Sequence, residues 1–158
     1  MESHPVCTFF RAVYCGLRGR LRFPRRLYGR VLTIADGEKF TIFRQAEIKT
    51  GNTRPAGPGA VFRIRFQFTG GSTVLNKRLS LIPIPLIVGF PGFRTKIWTF
   101  HEATGAFQGI YEWDSAEAAA DYAKSLAIRL MKKRAVPESV DQEIIPDTRI
   151  GEYLSINQ

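Results

Sequence analysis

The chain has 158 residues, 44% of them hydrophobic, and a net charge of +9, which is long and apolar enough for one folded core and rules out disorder throughout. No run reaches the roughly 20 apolar residues of a membrane helix, and Cys7 and Cys15 fit neither a disulfide framework nor a zinc spacing. Arg11, Arg18, Arg20, Arg22, Arg25 and Arg26 stand against Glu2 in the first 27 residues, so most of the excess charge is N-terminal rather than a property of the domain. A reducing, cytoplasmic setting is expected, and no motif calls for a metal or cofactor.

In chain order, residues 1–26 offer scattered Arg, Gly and Pro and are expected to be an extension without a fold. Its composition suits an organellar transit peptide as well as an unstructured tail, and its arginines suit weak contact with a polyanion. Residues 30–35 and 39–48 are β-rich and flank Asp36-Gly37, a pair that favours the positive φ of a tight hairpin. A β-hairpin is therefore expected over 27–49, followed by a linker loop over 50–59.

The segment 60–146 carries the clearest order. Phe62, Ile64, Phe66 and Phe68 alternate with Arg63, Arg65 and Gln67, predicting a strand over 60–69. Ser72 is placed to cap a helix with the stripe Leu75, Leu79 and Ile82, which Pro83 and Pro85 end. Strands are expected over 93–101 and 107–113, joined through Ala103-Thr104-Gly105. Asp114 and Glu117 have the spacing of a capping box for one long helix over 115–134. A last strand at 140–145 ends at Pro146, and 147–158 forms a C-terminal arm. Strand, helix, strand, strand, helix, strand is the ferredoxin-like βαββαβ plan, an α+β fold with helices on one face of the sheet. The other face then needs a cover. With Arg63, Arg65, Lys96, Trp98, Tyr111 and Trp113 placed there, a homodimer or a pocket between sheets would supply it.

Candidate chemistry follows from residue type and alternation. Trp98, Tyr111 and Trp113 are suited to stacking on an aromatic ligand, and equally to a core or interface. Lys96 shares a strand face with Trp98 and can stabilise an enolate or bind a carboxylate; its ordinary alternative is a surface lysine at a strand end. Arg63 and Arg65 can clamp an anion or form inter-subunit salt bridges. His101 is the only histidine of the domain and the candidate general base, against the common case of an exposed turn histidine.

Pro91-Gly92-Phe93, Lys96-x-Trp98-Thr99, Gly109-Ile110-Tyr111 and Ala120-x-Tyr122 together resemble the YdhR-type monooxygenase-like proteins. These are a branch of the dimeric α+β barrel superfamily, which includes the antibiotic-biosynthesis monooxygenases. The resemblance implies two ferredoxin-like protomers packed sheet to sheet, each with a cavity beneath its helices. It also implies a small-molecule enzyme acting without metal on an aromatic or polyketide-like compound, with Tyr111, Lys96 and His101 as catalytic candidates and Trp98, Trp113, Arg63 and Arg65 as substrate-binding ones. A non-catalytic binding module using the same barrel is the alternative.

Overall fold

The structure, a computed structural model, describes residues 4–34, 36–49 and 57–157. The expected loop over 50–59 lies mostly outside them. The fold is a seven-stranded antiparallel sheet. Its ferredoxin-like part consists of β4 (Ala60–Phe66), β5 (Phe93–Phe100), β6 (Phe107–Trp113) and β7 (Asp141–Ile145), ordered β5-β6-β4-β7. β6 lies between β5 and β4 with Lys96 opposite Tyr111 and Trp98 opposite Gly109.

The N-terminal hairpin enlarges this sheet. β2 (Val31–Thr33) pairs with β3 (Lys39–Ile48), and Gly37 has the φ of 82° that the turn requires. β3 then pairs with the β5 edge, and the two-residue β1 (Leu21–Arg22) pairs with β3. A bulge between Ile42 and Arg44 breaks the alternation of β3. Ile42 consequently packs on one face of the sheet while Ala46 packs on the other.

Helices α2 (Thr73–Leu79), α3 (Ile84–Val88), α4 (Ala116–Ala123) and α5 (Leu126–Arg134) lie on the face of Phe62, Ile64, Trp98 and Tyr111. Three expectations about them are corrected. Pro83 and Pro85 do not simply end a helix: they start α3, where missing N–H groups cost nothing because first-turn donors have no helical partner. The long helix over 115–134 is two helices, because the Ser125 hydroxyl accepts from Ile128 N (3.4 Å) and caps α5. The cap of α4 is Ser115 rather than Asp114, accepting from Ala118 N at 3.2 Å. Asp114 instead accepts from Nε of the fully buried Arg94 (2.5 Å), whose Nη1 reaches Glu112 at 3.3 Å.

The two ends of the chain also differ from expectation. Residues 5–17 form a helix, α1 (Pro5–Leu17), where an extension without structure was expected. Pro5 fits the first turn, and Gly19 at φ 61° closes the helix while Arg20 N donates to Cys15 O (2.9 Å). Thr8, Ala12 and Cys15 are buried, and a Cβ on Gly89 of the α3 C-cap would come within 1.7 Å of Thr8 O, so α1 and α3 touch backbone to backbone. The C-terminal segment forms α6 (Ile150–Ile156), whose Tyr153 and Leu154 pack with Val61, Ile97 and Ile110 on the second face of its own sheet. That face is thus partly covered within one chain, by the segment expected to form a C-terminal arm.

Candidate functional site

Between the sheet and helices α2 to α5 lies a cavity of about 500 Å³. Its floor is Lys96, Trp98, Phe107, Gly109 and Tyr111 of β5 and β6; its walls include Phe66, Phe68, Ile87, Tyr122, Ile128 and Met131. Lys133 and Arg134 also line it, and no carboxylate does among the described residues. The volume lies within the range of about 300–1,000 Å³ usual for small-molecule sites.

Lys96 is the chemical centre of this cavity. It is 5% exposed, with Nζ 4.3 Å from the Trp98 ring centroid and 4.4 Å from that of Tyr111. It forms no ion pair among the described residues. Burial, together with the Arg44 cation, lowers its pKa well below the usual lysine value. Desolvation is the larger cause and the Arg44 cation the smaller, while the faces of Trp98 and Tyr111 favour the ammonium.

Tyr111 owes its position to Gly109, since a Cβ there would lie 2.7 Å from Tyr111 Cε2 and 3.1 Å from its hydroxyl oxygen. The ring therefore lies back along its own strand, across from Trp98. Its rings also meet Phe62 (5.5 Å between centroids) and Tyr122 (5.2 Å). Burial pushes the Tyr111 phenol pKa up, against a smaller opposite pull from its hydrogen bond with Tyr122. Both phenols are pushed up and hold their protons at neutral pH; Tyr122 donates to Tyr111 in their mutual hydrogen bond, which leaves the Tyr111 hydroxyl to donate to a ligand oxygen.

Arg44 reaches this region from the added strand β3. It donates from Nη1 to Lys77 O (3.1 Å) and Ser80 Oγ (2.5 Å), and its guanidinium carbon stands 5.8 Å from the Trp98 centroid. It ties α2 to the sheet beside Trp98.

The remaining sequence candidates lie elsewhere. Lys96, Trp98, Tyr111 and Trp113 are on the helix-covered face rather than with Arg63 and Arg65 on the other, which corrects the single shared face expected. Trp113 is fully buried outside the cavity lining, with its ring tilted against Tyr122 (4.6 Å between centroids) and edge-to-face with Phe90 (5.7 Å). Arg63 pairs with Asp141 (2.8 Å) and Glu143 (3.3 Å), and Arg65 with Glu38 and Asp36, so both meet carboxylates of their own chain. His101 accepts at Nδ1 from Thr104 N (3.1 Å) and packs on Phe40 (5.3 Å), closing the β5–β6 turn away from the cavity lining. Tyr122, Arg44 and Met131 were not singled out for chemistry. Only Tyr122 had a sequence signal, falling three residues after Ala119 on the buried side of α4.

Residues 61–144 match the model of the family described as "Putative mono-oxygenase ydhR", and the chain belongs to that family. No curated protein sequence matches the chain. Among solved structures it is similar to an uncharacterised ferredoxin-fold protein of Listeria monocytogenes related to antibiotic biosynthesis monooxygenases (16% identity, 72% of this chain and 67% of that one, TM-score 0.51). It is similar too to a heme-degrading enzyme of the same organism (16%, 73% and 74%, TM-score 0.52). An anthrone oxidase-like protein matches at 12% identity over 71% of this chain and 55% of its own, with a TM-score of 0.50. At these identities the likenesses establish the ferredoxin-like α+β fold.

Proposed function

We propose that the cavity binds an aromatic or polyketide-like small molecule with an acidic proton and oxygenates it without a metal, Lys96 acting as the base. One observation carries this reading: a buried amine with a lowered pKa, held between two aromatic faces at the floor of an apolar cavity. Membership in a monooxygenase-like family and the likeness to an anthrone oxidase-like protein support it.

In this mechanism Trp98 stacks on the substrate, and the Lys96 amine removes a proton from a methylene beside an aryl ketone. The carbanion charge spreads into the ketone oxygen, which Lys96, now an ammonium, and the Tyr111 hydroxyl stabilise. The carbanion gives electrons to dioxygen and a carbon–oxygen bond forms. Protonation of the resulting peroxide and loss of water leave a carbonyl. One oxygen atom stays in the product and the other leaves as water, so the methylene is oxidised while dioxygen is reduced and no external reductant enters.

Oxygen uptake and quinone absorbance with an anthrone-type probe test the reading. Tyr111→Phe should lower kcat by roughly tenfold to a hundredfold with little change in probe affinity, because one stabilising donor is lost. Trp98→Ala should raise the probe Kd. Probe binding without oxygen uptake, with Tyr111→Phe silent, would instead identify a binding module. Equal probe affinity in wild type and Trp98→Ala would remove the cavity from the account.

A further inference from the structure

α1 is turned inside out. Its buried side is made of the small residues Thr8, Ala12 and Cys15, whereas Val6, Phe10, Val13 and Leu17 recur every three to four residues on the opposite side and are all exposed. Phe10 is 67% exposed and Leu17 84%, and Phe9 and Tyr14 flank them, also exposed. A helix held only for its own packing would place its large apolar residues against α3. This one is docked by close backbone approach at Gly89, which leaves its large side chains free.

The charge that accompanies this stripe along the chain points to what covers it. Arg11 on the helix, and Arg18, Arg22 and Arg25 after it, are exposed and have no ion pair among the described residues. We infer that α1 is an interfacial helix that seats Val6, Phe10, Val13 and Leu17 in an anionic lipid surface while the neighbouring arginines meet the headgroups. A bilayer of this kind uses both features at once. A nucleic acid would satisfy the arginines but leave the apolar stripe in water. A second copy, packed stripe to stripe about a two-fold axis, would bring two arginine clusters together. The inference is independent of what the cavity binds.

The full chain should sediment with phosphatidylcholine vesicles containing phosphatidylserine and stay in solution with pure phosphatidylcholine. Binding should weaken steeply as salt rises. Phe10→Glu, at an exposed position, should keep the wild-type melting temperature and lose more than about tenfold in vesicle affinity. Arg22→Gln and Arg25→Gln should each cost about fivefold. Equal binding to neutral and anionic vesicles would overturn the inference, as would undiminished binding by Phe10→Glu. Duplex DNA that binds wild type and Phe10→Glu equally and displaces the vesicles would assign the arginines to a nucleic acid. A dimer that Phe10→Glu converts to monomer would assign the stripe to a second copy.

Discussion

At Lys96 two physical effects pull on one charge, and removing the side chain separates them. Between its lowered pKa and 10.5 the unfolded chain binds a proton that the folded chain does not. Stability therefore falls as pH drops through that window and levels off below it. Lys96→Met should raise the melting temperature at neutral pH by roughly 2–6 °C, about 1–2 kcal/mol, because it removes an unpaired buried amine of similar length. The same substitution should abolish oxygenation, and the wild-type kcat/KM should rise with pH as the free amine forms. A thermal shift of the opposite sign, with activity retained, would show Lys96 to be structural. This residue and its neighbours were legible because alternation puts Lys96 and Trp98 on one strand face. Which face met the helices was not legible, because every residue of β5 and β6 is buried and alternation gives no contrast there.

At the scale of elements, α1 shows what the sequence held and how it was misread. Pro5 and Gly19 punctuate the helix at both ends, and Val6, Phe10, Val13 and Leu17 have helical spacing. Six arginines nearby obscured that pattern, and an apolar stripe facing solvent breaks the usual link between periodicity and burial. Gly89 offers a direct test. Its φ of −79° suits any residue, so Gly89→Ala introduces no backbone strain, only a clash with Thr8 O. α1 should shift off α3 at a cost of about 1–3 kcal/mol. Trypsin should then cut at Arg18 and Arg20 at least about tenfold faster. Unchanged cleavage would show that α1 is held by other contacts.

The whole molecule adds an outer layer at each end of the chain to the ferredoxin-like plan. The hairpin extends the sheet beyond β5 and sends Arg44 toward Trp98, while α6 covers Val61, Ile97 and Ile110. We expect a homodimer through the part of the second face that α6 leaves open. Light scattering should give twice the 17.8 kDa chain mass. A monomer independent of concentration would dismiss the paired barrel. Truncation after Pro146 should destabilise the protomer by several kcal/mol, since it bares the cluster around Ile97 and Ile110, with Leu154 alone contributing about 2–5 kcal/mol. Loss of the dimer with an unchanged melting temperature would show that α6 serves the interface instead.

The amino-acid sequence by itself determined the element order from β4 to β7, the hairpin at Asp36-Gly37 and the company of Lys96 with Trp98, because these depend on local turn chemistry and on the two-residue period of strands. Tertiary structure decided the rest. It paired Arg94 with Asp114, turned the large side chains of α1 to solvent and laid α6 on its own sheet. Each of these depends on contacts between residues distant in the chain, where burial of one surface is weighed against another, whereas the helix breaks at Ser125 and Pro83 rest on local capping and proline chemistry that the sequence carried.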